Sequence, residues 1–292
     1  MRVFITGGTG YVGQAVVTAA IRAGHQAIVL QRPGTHRPLK QQDVELVEGD
    51  VLEPRSLEKG LPGADAVIHL VGIIREIPRQ NITLERLHVE ATRNVLEAAK
   101  RAQVPRFVHM SALGSRPQAV SGYHRTKWAA EEWVRQSGLT FTIFRPSVIF
   151  GQGGPGPEFV GQLADLARKA PFLPIIGDGR SPLQPVSIQT IAEAIVASLT
   201  SPLAHNKIYE AGGPEVITYE EIMRRICEAL NKHFRPVHIP FSMMGVLLPI
   251  LQHLPGFPLT LDQFIMLKEG NVCQDSESLY RDFGLEKIPF KV

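Results

Sequence analysis

Short apolar runs alternate with amphipathic stretches through the first half of the chain. Arg2–Thr6 is an apolar run that stops at glycines, which predicts a buried strand. Tyr11–Ala23 has helical composition, and Gln26–Leu30 and Val44–Val47 read as the next two strands. Ala66–Val71 is a fourth strand, followed by a long amphipathic helix over Leu84–Ala102. Arg106–Met110 and Thr140–Phe144 complete six strands, with a helix over Tyr123–Gln136 between them. Strands that regularly alternate with helices predict a parallel sheet covered on both faces, an α/β fold of the doubly wound kind.

The pattern changes after Pro146. Residues 151–157, Gly-Gln-Gly-Gly-Pro-Gly-Pro, can be neither helix nor central strand. Helices are expected near 158–169, 190–199 and 219–230, with short strands at Pro185–Ile188 and Lys207–Ala211. The expected organisation is a nucleotide-type domain over 1–150 and a smaller C-terminal substrate lobe over 151–292, closely packed or interleaved with the first. Such a lobe closes over the carboxyl ends of the strands, where open α/β sheets bind ligands.

Composition narrows the class. The chain has 292 residues, 44% hydrophobic and 20% charged, which suits a water-soluble globular fold with a sizeable core. A formal net charge of +3 without a long basic run gives no sign of nucleic-acid binding. Cys227 and Cys273 form no disulfide framework or metal spacing, so the expected setting is a reducing, cytoplasmic one. The strand at residue 2 leaves no room for a signal peptide before it, and no apolar run is long enough for a spanning helix. Peripheral contact with a membrane stays open.

Chemistry enters at the first turn. Thr6-Gly7-Gly8-Thr9-Gly10-Tyr11-Val12-Gly13 follows the first strand and opens the first helix. Gly7 permits the tight turn, Gly10 lets a pyrophosphate approach the backbone, and Gly13 lets helix and strand pack closely. The helix start offers free N–H groups and a positive dipole end to phosphates. In a strand–turn–helix context this is the phosphate loop of a Rossmann-type dinucleotide site. Dinucleotide sites that take NAD place an acid ~20 residues past the glycines, on the ribose 2′-hydroxyl. Here the second strand ends Val29-Leu30-Gln31-Arg32. Arg32 suits a 2′-phosphate, so NADP(H) is the preferred cofactor and NAD(H) the alternative. Asp50 and Val51 are placed for the adenine, although an aspartate there serves a turn equally well.

Tyr123 and Lys127 stand at i and i+4, on one helix face. An ammonium close to the phenol is expected to lower its pKa, so that the tyrosine exchanges a proton with a hydroxyl or carbonyl. Ser111, just after the fifth strand, is the best-placed hydroxyl to orient a carbonyl oxygen, ahead of Ser115 and Ser121. With the glycine loop, Asp50-Val51, His69-Leu70-Val71-Gly72 and Arg145-Pro146-Ser147, these residues resemble the short-chain dehydrogenase/reductase superfamily in its extended or atypical branch. Ser111-Ala-Leu-Gly114, Gln184-Pro-Val186, Pro258-Leu-Thr-Leu-Asp-Gln263 and Asn271-Val272 are similar to the NADP(H)-holding accessory subunits of respiratory complex I and related reductases. The resemblance implies that Leu70, Val71 and Gly72 border the cofactor, that Lys127 also touches the nicotinamide ribose, and that Pro146 and Ser147 lie beside the nicotinamide. It implies an oxidoreductase acting on an apolar carbonyl, hydroxyl or quinone-like substrate. The alternatives are a non-catalytic NADP(H)-holding subunit and a nucleotide-sugar epimerase or dehydratase.

Other residues add little. The ten histidines show no ligand spacing. His69 reads as a core or near-cofactor residue, and His109 and His124 flank the site. Ser111 is not in a Gly-x-Ser-x-Gly elbow, which speaks against hydrolase chemistry. Residues 236–261 hold no Asp, Glu, Lys or Arg. Three readings fit that stretch: plain core, the wall of an apolar pocket, or a membrane-contacting surface. Pro240, Pro249, Pro255 and Pro258 exclude a 20-residue spanning helix there.

Overall fold

The computed structural model describes the chain except for residues 36–38, 40, 42, 157 and 253–258. Pro255, Pro258 and the first residue of the Pro258–Gln263 motif therefore lie outside the described residues. The first six strands are β1 (Arg2–Thr6), β2 (Gln26–Gln31), β3 (Val44–Glu48), β4 (Ala66–His69), β5 (Arg106–Met110) and β6 (Thr140–Pro146). With Lys207–Ala211 they form a seven-stranded sheet in the order Lys207–Ala211, β6, β5, β4, β1, β2, β3. Every pairing in it is parallel.

The inner strands of a parallel sheet are buried on both faces and run apolar without alternation, while the edge strand β3 keeps Glu45 and Glu48 exposed. All four residues of β4 are buried. Successive side chains still point to opposite faces. Val3, Ile5, Ile68, Val108 and Phe144 pack with α1 (Tyr11–Arg22) and the helix Ile188–Ala197. Phe4, Ile28, Val67, Phe107 and Ile143 pack on the other side with α2 (Pro54–Leu57), α3 (Ala91–Arg101) and α4 (Gly122–Arg135). The helix expected over Leu84–Ala102 is present, but Glu85–Glu90 is wound as a wider π turn ahead of α3. Such turns mark places where a helix is deformed to place a side chain. His88 lies in this turn and is buried, 1% exposed.

The chain after residue 150 serves both bodies. Helix Ile188–Ala197 packs against α1, and Lys207–Ala211 extends the sheet beyond β6. The other segments gather around a separate core. Helices Phe159–Lys169 and Tyr219–Ala229 pack together over the strand Leu173–Ile176, which pairs with Pro236–Ile239. Helices Phe241–Leu251 and Leu261–Glu269 add a small cluster of their own through Met244, Leu248 and Phe264.

Strand order reverses beside β1, which has β4 on one side and β2 on the other. Chains leaving β1 and β4 diverge there and open a crevice at the carboxyl ends. Thr6 lies in register with His69, so Gly7 and Leu70 meet at its floor. Gly7 adopts φ +75°, and a Cβ on it would stand 3.0 Å from the Leu70 carbonyl carbon. Both conditions require glycine.

Candidate active site

The crevice deepens into one cavity of about 1380 Å³. Its walls hold the residues singled out above for cofactor or catalysis, apart from the lesser candidates Ser115 and Ser121. Gly7, Thr9, Gly10, Tyr11, Val12 and Gly13 form one end, with Arg32, Asp50 and Val51 beyond them. Leu70, Val71 and Gly72 line the middle, and Ser111, Tyr123, Lys127, Pro146 and Ser147 stand opposite. Its volume exceeds the usual range for a single small ligand, so it has room for a dinucleotide and a second molecule.

The phosphate end is built by close approach. A Cβ on Gly13 would lie 2.0 Å from the Gly7 carbonyl oxygen, so no other residue lets α1 start there. Gly10 is the N-cap and no side chain caps the helix, so its first N–H groups are left for a ligand. The loop at 151–156 closes on this turn. The Gly154 N–H donates to the Tyr11 carbonyl at 2.9 Å, and the Tyr11 hydroxyl donates to the Gly151 carbonyl at 2.9 Å. Burial and the nearby Glu158 carboxylate push the Tyr11 phenol upward, so it stays a donor. In sequence, 151–157 reads only as a loop. The signal was present in its glycines: a Cβ on Gly154 would stand 2.4 Å from the Gly10 carbonyl oxygen. Pro157 lies outside the described residues.

Beyond the glycine loop, Asp50 makes the turn that is one of its two expected roles. Its Oδ1 accepts the Leu52 N–H at 2.9 Å, which makes the turn, and the residue borders the cavity. Arg32 is exposed and makes no side-chain hydrogen bond among the described residues. A side pocket beside it also holds Lys59, Glu48 and Glu53.

At the other end, Lys127 is 2% exposed and donates from Nζ to the Met110 carbonyl at 3.0 Å. Burial pulls its ammonium down to about 8, against the opposing pull of Glu131. A Cβ on Gly72 would stand 2.9 Å from Nζ, so Gly72 makes the space the ammonium occupies. Tyr123 packs edge-on against His88, 5.4 Å between ring centres. Its hydroxyl has no hydrogen-bond partner among the described residues. Burial pushes the phenol up to about 12. The expectation that Lys127 lowers it is not met in this arrangement, because burial outweighs a lysine bonded to Met110. Tyr123 is a protonated donor here.

Ser111 also differs from expectation. It borders the cavity, yet its hydroxyl donates to Glu131 Oε1 at 2.5 Å and lies 3.2 Å from the Ser115 hydroxyl. The proton needed to orient a carbonyl is therefore engaged behind the site. Glu131, fully buried, also takes a two-point bond from Arg145 at 2.7–2.8 Å and a contact from Arg135. It ties α4 to the end of β6, where Pro146 and Ser147 stand. Ser121 does not face a ligand; it caps α4 by accepting the His124 N–H.

Several residues that hold the site went unnoticed as such. Asp262 accepts the N–H groups of Gly122 and Tyr123 at 3.1 and 2.9 Å, seating the start of α4 from a distant helix. Asn271 Oδ1 accepts from the Ser147 hydroxyl at 2.5 Å and the Val148 N–H at 3.0 Å. The carboxyl-terminal motifs thus brace the nucleotide fold rather than form a separate pocket. Among the histidines, His69 is bonded to Thr6 at 2.6 Å and to Thr92 at 3.1 Å. Burial and the Lys127 charge hold it down to about 3, and push His88 and His109 well below the usual histidine range. All three are neutral at physiological pH. Among the described residues no group of three or more His, Cys, Asp or Glu side chains is arranged to hold a metal ion.

Uncapped N–H groups, the glycine contacts and an exposed Arg32 all suit a dinucleotide, and comparison with known proteins agrees. A family model described as NAD dependent epimerase/dehydratase matches residues 3–212. The chain is 29% identical to the mitochondrial NADH dehydrogenase [ubiquinone] 1 alpha subcomplex subunit 9 of Arabidopsis thaliana, over 99% of this chain and 74% of that one. It is 30% identical to the ceramide reductase of Caulobacter vibrioides, over 82% of this chain and 73% of that one. In fold it resembles the crystal structure of gox2253, with a TM-score of 0.77, 22% identity and 97% and 92% of the two chains covered. With the phosphate loop, the strand order and the Tyr123–Lys127 helix on one cavity, the chain belongs to the NAD-dependent epimerase/dehydratase family.

Proposed function

We propose that this protein is an NADP(H)-dependent oxidoreductase of the short-chain dehydrogenase/reductase type, acting on an apolar carbonyl, hydroxyl or quinone-like substrate. The observation that carries the reading is that the phosphate loop, Lys127 and the unpartnered Tyr123 hydroxyl share one cavity whose far end is apolar. The nicotinamide supplies hydride when bound. Gly7–Gly13 would hold the pyrophosphate, and Pro146 and Ser147, the latter bonded to Asn271, line the same cavity and would stand by the nicotinamide. Tyr123 gives its proton to the substrate oxygen. Lys127, charged below about pH 8, would bond the nicotinamide ribose and bring its positive charge to that wall of the cavity. Met243, Met244, Leu247, Met266 and Leu267 take the apolar remainder of the substrate. That set includes the pocket-wall reading of the uncharged stretch.

One observation favours a second reading, a subunit that holds NADP(H) without turning it over. Ser111 gives its proton to Glu131, so the tyrosine works without the hydroxyl that would orient a carbonyl. The relation to a complex I subunit fits that reading, and the relation to a ceramide reductase fits the first.

Cofactor choice follows from Arg32. Arg32 and Lys59 are the cations of a side pocket that also holds Glu48, Asp50 and Glu53. Preference for NADP(H) therefore depends on the guanidinium reaching the 2′-phosphate. Calorimetric titration is expected to show NADPH binding at least about tenfold tighter than NADH, and Arg32→Ala is expected to remove the difference; a charge-assisted bond is worth about 1.5–3 kcal/mol. Equal affinities in the wild type contradict the assignment.

A further inference from the structure

The uncharged stretch reaches the surface in the helix Phe241–Leu251. Met244 and Leu248 turn inward against Ile176 and Phe264. Met243, Val246, Leu247 and Ile250 face outward in one stripe, spaced i, i+3, i+4 and i+7. Val246 is 74% exposed and Ile250 71%. Four large apolar side chains in a row mark an interaction surface rather than ordinary scatter.

Its place in the fold says what it meets. Met243 and Leu247 are exposed and also line the cavity, so the stripe forms one lip of the cavity mouth. The loop at 73–82 forms the other lip, with Ile74, Arg75 and Ile82 on the cavity. Arg75 donates to the Gln252 carbonyl at 3.1 Å and joins the two lips. This loop adds an exposed Ile77 and the exposed cations Arg75 and Arg79. Its one acid, Glu76, is turned back to accept the Leu84 N–H at 2.7 Å. The stretch itself lacks the basic residues that an interfacial helix uses, and the neighbouring loop supplies them.

We propose that this helix and the 73–82 loop form a docking surface for an anionic lipid bilayer, and that the cavity mouth opens on the lipid. The apolar stripe enters the interface, the exposed Arg79 meets anionic headgroups, and an apolar substrate passes between the lips without crossing water. Delivery of substrate rests on the function proposed above; docking does not.

The test is co-sedimentation of the full chain with vesicles of phosphatidylcholine alone or mixed with phosphatidylglycerol. The wild type is expected to sediment with the mixed vesicles and weakly with phosphatidylcholine. The pair Val246→Glu and Ile250→Glu is expected to abolish sedimentation. Neither residue lines the cavity, so unchanged NADPH binding shows the variant folded. Arg79→Ala is expected to weaken binding to the mixed vesicles about fivefold, as one surface charge is worth about 1 kcal/mol. Equal sedimentation by the folded double variant, or none by the wild type, overturns the proposal. So does a concentration-dependent dimer that the double variant abolishes while vesicles are ignored, which assigns the stripe to a second copy. Vesicle docking by a protein that never oxidises NADPH leaves docking standing and removes the oxidoreductase reading.

Discussion

Tyr123→Phe is expected to lower turnover by about 10²–10⁴-fold while NADPH binds as before, the range for losing a positioned general acid. The ring keeps its edge contact with His88, and the hydroxyl that goes has no partner among the described residues, so the fold loses nothing. The pH profile of the wild type carries the companion result. Lys127 is protonated below about pH 8 and neutral above, so turnover falls as pH rises through about 8. Stability moves the other way. The folded lysine has its pKa depressed below the unfolded value near 10.5, so between about pH 8 and 10.5 the unfolded chain binds more protons and folding gains as pH rises. A variant that unfolds at high pH is thereby distinguished from one that loses its ammonium. Turnover in Tyr123→Phe equal to wild type would place the proton donor elsewhere.

Gly13→Val is the second large effect, on binding rather than chemistry. A Cβ at this position would stand 2.0 Å from the Gly7 carbonyl oxygen and 2.7 Å from the Gly8 carbonyl carbon, both backbone and unable to rotate away. Relief requires the start of α1 to move off β1, which spoils the N–H groups that face a pyrophosphate. NADPH affinity is expected to fall at least about 100-fold, or about 2.7 kcal/mol. Calorimetry measures it, with a melting curve to show that the chain still folds. Retained affinity in a folded Gly13→Val chain contradicts the placement of the pyrophosphate on α1.

Much of the framework was legible because the physics is local. Parallel strands buried on both faces run apolar, and that pattern marks β1, β2 and β4 along the chain, whereas the edge strand β3 carries exposed Glu45 and Glu48. The phosphate loop shows itself because only glycine tolerates the contacts made at Gly7 and Gly13. Tyr123 and Lys127 fall on one helix face by spacing alone. Boundaries were harder. The strand expected to reach Val71 stops at His69, and the helix expected from 190 begins at Ile188. Short elements such as Leu173–Ile176 and Pro236–Ile239 pair across the lobe and carry little pattern of their own.

What braces the site was not legible, because it depends on partners far apart in sequence. Asp262 reaches the Tyr123 N–H across 139 positions. Glu131, four residues beyond Lys127, reads as an ordinary helical surface charge until Arg145 and Ser111 close over it. Ser111 itself stands where a catalytic hydroxyl is expected, and only its contact with Glu131 shows the proton directed away. The uncharged stretch divides among its readings: Met244 and Leu248 serve a core, Met243 and Leu247 the cavity wall, and Val246 and Ile250 the outer face. No helix among the described residues is long and apolar enough to cross a membrane.

The most direct test of the account is a single-turnover experiment on the wild type. Protein loaded with NADPH is mixed with an apolar acceptor, a long-chain quinone or a long-chain ketone, and the nicotinamide absorbance is followed in time. Oxidation of the bound cofactor is expected at a rate that saturates with acceptor and falls above about pH 8. Bound NADPH that stays reduced with every acceptor of this class contradicts it and leaves a protein that holds its dinucleotide without using it.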